Sequence, residues 1–86
     1  MSYQTETIEA LMEARNNDIS QKISLQDQLV LIFQIMSGET TPLEHQGIIG
    51  FITQIYESYK AEVELVMQKT DEQLEQYQIP STFIIQ

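Results

Sequence analysis

The sequence predicts an all-α fold: a small three- to four-helix bundle with one long helix over about 42–69 and a preceding buried helix over about 24–37. Three observations carry that expectation. Ile48, Ile52, Ile55, Tyr59, Val63 and Val66 recur at steps of three and four, the spacing of an apolar stripe along one side of a helix. The stretch from Leu25 to Met36 is apolar on nearly every side, which marks a helix covered from several directions. Thr41-Pro42-Leu43-Glu44 reads as a helix start, with Thr41 as N-cap, Pro42 at the first helical position and Glu44 completing a capping box.

In chain order, the first helix is expected over about Glu6 to Arg15. Thr5 or Thr7 is placed to cap it, and Glu6 and Glu9 lie where the helix dipole favours negative charge. Ile8, Leu11, Met12 and Arg15 share a face, so its apolar stripe is narrow. Asn16-Asn17-Asp18 reads as a stop, because Asn tolerates the left-handed conformation that ends helices, and Ile19 and Ile23 then bracket a polar linker, Ser20-Gln21-Lys22, that is either a turn or an early extra turn of the next helix.

Ser24-Leu25-Gln26-Asp27 resembles a capping box for the second helix, with Leu25, Leu29, Ile32, Phe33 and Met36 as its main stripe. Gly38 suits the left-handed position just beyond its last turn. In the long helix that follows, Gly47 and Gly50 each cost about 1 kcal/mol relative to alanine. They either admit a close neighbour or bend the first turns. A β-strand over Gly47 to Tyr56 is the rival reading, but the apolar pairs Ile48-Ile49, Phe51-Ile52 and Ile55-Tyr56 keep the helical step. Thr70-Asp71-Glu72-Gln73 either caps a fresh short helix, with Leu74 and Tyr77 facing inward, or lies inside a continuous long one; Pro80 stops both versions. The tail over 80–86 carries Phe83, Ile84 and Ile85 in succession, so it is expected to dock on a groove or pair with something.

A single domain over 1–86 is expected from the length, near the lower limit for a core without staples. The chain has no cysteine, which excludes a disulfide framework, a thiolate metal site and a catalytic thiol. Thirteen acids against four basic residues give a net charge of −9, which disfavours direct binding to nucleic acid or anionic lipid. No apolar run approaches the ~20 residues of a membrane span, and Met1 to Glu6 lack the parts of a secretory signal, so a cytoplasmic location is expected.

Chemistry is expected to be absent. His45 stands alone beside Glu44, without the converging ligands that a metal needs or a serine partner in a nucleophile elbow. The carboxylate pairs Glu62/Glu64 and Asp71/Glu72 imply no cleft, and no cofactor or metal is expected. The expected role is therefore a non-enzymatic protein–protein interaction module: an adaptor, inhibitor or assembly factor whose partner is another protein, with the acidic charge serving either a basic partner or solubility alone. The long helix spans ~40 Å against ~18 Å for its predecessor, so Tyr59, Val63, Val66 and Met67 need a cover that the second helix cannot provide. The first helix or a second copy could supply it, and the expectation favours a homodimer through the long helix. The partner-binding residues so selected are Tyr56, Tyr59, Val63, Val66, Met67, Phe83, Ile84 and Ile85. Two alternatives accompany this reading. One is an acidic DNA mimic, with Glu57, Glu62, Glu64, Asp71, Glu72 and Glu75 as its ridge; the other is a structural or secretion-type helical hairpin subunit.

Overall fold

A computed structural model describes residues 2–84, and every described element is helical. The order is α1 (Tyr3–Lys22), α2 (Leu25–Ser37), a 3₁₀ turn (Pro42–His45), α3 (Gln46–Met67) and α4 (Asp71–Glu75). The fold is therefore all-α, with a long helix and a separate helix before it. Ile85 lies outside the described residues.

The core is built where α1 packs along α3, with α4 and the tail closing one end. Leu11, Ile19, Ile55, Val66, Leu74 and Phe83 form its buried apolar centre. The stripe on α3 falls where its period places it: Ile55 and Val66 are buried, and Ile52, Tyr59 and Val63 pack against them.

Several boundaries differ from expectation, each for a physical reason. α1 starts earlier, because the Ser2 side chain caps it by accepting from the Thr5 amide at 3.2 Å. It also runs straight through Asn16-Asn17-Asp18 to Lys22. The gain from seating Asp18 and Ile19 against the core, with Ile23 packed beside it, exceeds the small helix-propensity cost of the two asparagines. Thr7 is no cap; it is buried, and its hydroxyl donates to the Tyr3 carbonyl at 2.7 Å. The extra length gives α1 a span of ~30 Å, enough to line most of α3. The cover that the long helix needs is supplied within the chain.

The helix starts read from the sequence hold in part. Ser24 caps α2, accepting from the Asp27 amide at 3.2 Å. At the other end Gly38 is left-handed at φ 82°, and the Gly38 and Glu39 amides donate back to the Ile35 and Gln34 carbonyls. The capping residues Thr41, Pro42 and Glu44 open a 3₁₀ turn rather than α3 itself. The Thr40 hydroxyl also donates to Glu44, and this bond with the Thr41 amide holds the Glu44 carboxyl below the ordinary glutamate range. Thr70 and Gln73 make a reciprocal box, so α3 stops at Met67 and α4 is a separate helix that brings in Leu74. An added Cβ at Gly47 or Gly50 would meet nothing within 4 Å, so neither glycine marks a close helix approach.

α2 is the main departure. It forms where expected, yet none of its residues is buried. Met36 is 76%, Leu25 66% and Phe33 65% exposed. Its caps are local, so they define the helix whether or not anything packs on it. It makes no substantial packing contact with another helix.

Candidate functional site

Two places in the molecule concentrate chemistry or exposed apolar surface: the joint between the tail and the core, and the flank of α2. The joint is built on Asp18, which is 2% exposed. Its Oδ1 accepts from the Thr82 hydroxyl at 2.8 Å and its Oδ2 from the Phe83 amide at 2.5 Å. Across the tail, Gln54 Nε2 donates to the Phe83 carbonyl at 2.9 Å. Both backbone polar groups of Phe83 are thus satisfied as its ring enters the core, edge-on to Tyr59 at 6.2 Å. Beside it the Arg15 guanidinium lies 4.6 Å from the Tyr59 ring centre and 4.9 Å from that of Tyr56. The Tyr77 hydroxyl donates to Glu62, and burial together with this bond pushes its phenol well above the ordinary tyrosine value. Tyr3 donates to Glu75 at 2.9 Å, which raises its phenol in turn. These groups are all engaged with one another, and they read as structural.

The predicted partner-binding residues divide between interior and surface. Val66 and Phe83 are buried in the core, with Tyr59, Val63 and Ile84 packed against it. They come together, but inside a single chain. Tyr56 and Met67 are exposed, the first midway along α3 and the second at its C-terminal end. Of the six acids of the proposed ridge, Glu62 and Glu75 are tied to tyrosine hydroxyls. His45 is half-buried with Nε2 3.0 Å from the Thr40 hydroxyl. Among the described residues no three His, Asp or Glu side chains are placed to hold a metal ion, and no helix is long and apolar enough to cross a membrane.

The flank of α2 is different in kind. Between α2 and the body of the molecule lies a groove of about 500 Å³, open to solvent. Ile19 of α1 with Ile23 just beyond its end, Ile49, Ile52 and Tyr56 of α3, and the inner side of α2 form its walls. Leu31 and Ile35 line it from α2, whereas Leu29, Phe33 and Met36 recur at steps of four and three on the exposed side. Leu43, just beyond the Gly38 turn, is also exposed. From Leu25 to Ser37 the only charged residue is Asp27, in a chain of net charge −9. A 13-residue helix is near the length at which isolated helices are marginal in water. This apolar helix, standing off its own core, carries six of the 13 large apolar side chains that are exposed among the described residues.

Sequence reasoning found α2 and its stripe but assigned the stripe to the interior. Periodicity reveals that a face is to be covered; it carries no information on which chain covers it. The signal that separates α2 from α3 is its lack of charge, with one charged residue against four in α3. No family model matches the chain, and no curated protein or solved structure matches it either.

Proposed function

We propose that this chain is a non-enzymatic protein–protein interaction module whose working surface is α2 and the groove behind it. The observation that carries the reading is a well-capped apolar helix with no buried residue. Water-exposed apolar area of this extent marks a contact surface in proteins that persist in solution. The absence of charge from Leu29 to Met36 of α2 supports a dry contact at its centre, with the acids of the rest of the chain forming a polar rim. Of the residues selected from sequence, Tyr56 belongs to this surface, because it lines the groove. Met67 is exposed at the C-terminal end of α3 and is not among the residues that line the groove.

The test is a photo-reactive amino acid placed in the full chain at Phe33, with Glu13 on the exposed side of α1 as control, irradiated in the native cell. A discrete adduct at position 33 and none at position 13 is the expected result. No adduct at 33, or equal labelling at both, overturns the assignment.

A further inference from the structure

We infer that the occupant of the α2 surface is a second copy of this chain: two protomers pack α2 against α2 about a twofold axis, each placing Leu29, Phe33 and Met36 over the other's groove. The inference rests on the reading of α2 as a contact surface and names its partner.

Size supplies the first line of support. The chain has an accessible surface of 6247 Å². A compact monomer of its mass exposes about 5,200 Å², leaving an excess of about 1,000 Å². Stable interfaces bury about 800 Å² per partner. The surplus is thus what one side of a dimer requires. Shape agrees: the radius of gyration is 15.5 Å and the long axis 50 Å, whereas a compact domain of this length has a radius near 12 Å. The protomer has the dimensions of a subunit with an arm extended from its body.

Charge supplies the second. Two copies at net charge −9 repel each other wherever their acidic faces meet. An isologous contact brings the same patch of both chains together, so that patch must be free of like charge. The α2 face from Leu29 to Met36 carries none, and Asp27 sits at its N-terminal edge. A basic partner, by contrast, would find no carboxylate along that face to recognise. The groove also suits the helix: its walls are mainly isoleucines and leucines, with Tyr56 and the polar Asn16, Ser20 and Gln28 among them, and the side chains offered to it are a leucine, a phenylalanine and a methionine. Filling it removes apolar surface of both copies from water at once.

The experiment is sedimentation equilibrium of the purified full chain over a concentration series, repeated for Phe33→Glu and Met67→Glu. Both substituted side chains are exposed in the protomer, so each variant should keep its helicity by circular dichroism. The wild-type mass is expected to plateau at twice the 10.0 kDa of one chain. Phe33→Glu should weaken the dimer about 30-fold or more, while Met67→Glu leaves it unchanged. Raising salt should tighten the wild-type dimer, because the remaining repulsion is screened. Four results overturn the inference. Dissociation by Met67→Glu alone moves the contact to the end of α3. Mass that grows without a plateau makes the assembly open. A monomer whose radius of gyration is near 12 Å has folded α2 back onto its own groove. A monomer at millimolar concentration that nonetheless gives a heterologous adduct at position 33 has a foreign partner; the contact-surface reading then stands and the self-association does not.

Discussion

Asp18 ties the tail to α1 through hydrogen bonds to both of its carboxylate oxygens. Its carboxylate accepts from the Thr82 hydroxyl and from the Phe83 amide. Asp18→Ala removes both acceptors and leaves a buried amide unpaired, a loss of about 3 kcal/mol, which is a large share of the stability of a small domain. Asp18→Asn keeps one acceptor and should lose less. Urea denaturation of the two variants measures both, and equal losses would refute the bidentate account. A second residue sets an alkaline limit. Tyr77 holds its proton more tightly when folded than in the unfolded chain, where tyrosine titrates near about 10. Its stabilisation is therefore complete below pH ~10 and is lost as pH rises from there toward the folded value. Tyr77→Phe should flatten the fall in Tm above pH ~10 at a cost of about 1 kcal/mol near neutrality. A wild-type alkaline slope in this variant would assign the effect elsewhere.

At the scale of elements, α1 and α2 show opposite failures of pattern reading. The buried side of α1 is Thr7, Leu11, Ala14, Asp18 and Ile19, a helical stripe in which two of the five residues are polar. A search for apolar spacing finds only fragments of it and stops at the asparagines, although Thr7 and Asp18 satisfy their polar atoms internally. In α2 the apolar spacing is complete and the burial is missing. α3 and the Gly38 stop were legible because their signals are local, periodicity with charged residues on the far side and a left-handed glycine, whereas the sequence left open whether Thr70 caps a separate helix or lies inside the long one. The tail was legible as a docking segment, but its acceptor, Asp18, was hidden in an expected loop. The glycines give a direct check on this local physics. Gly50→Ala should stabilise by up to about 1 kcal/mol, since the added methyl meets open space in mid-helix. Gly38→Ala should destabilise by about 1 kcal/mol, because its φ of 82° disfavours a Cβ. Thermal denaturation of the pair in parallel decides it, and a gain at position 38 would show that the α2 turn is not the one described.

For the whole molecule, the expectation that a long apolar ribbon needs more cover than its neighbour provides is met within the chain, by α1 and the tail. The demand for cover is transferred to α2. Total apolar content was readable in the sequence, and so was the imbalance between elements. Which helix is left over depends on whether α1 is ten residues long or 20, and that length was decided by contacts distant in sequence. Hydrogen exchange on the dilute chain should therefore show α2 amides exchanging ahead of those of α1 and α3 by orders of magnitude, with protection of α2 appearing as concentration rises. Uniform protection at all concentrations would mean that α2 is packed in the lone protomer.

The bare side of α2 has a consequence for the life of the chain in a cell. A freshly made copy without a companion shows Leu29, Phe33 and Met36 to every chaperone and protease it meets. Its half-life would then rise with its own abundance, so that scarce copies are cleared and plentiful ones persist, a threshold on dosage set by one helix.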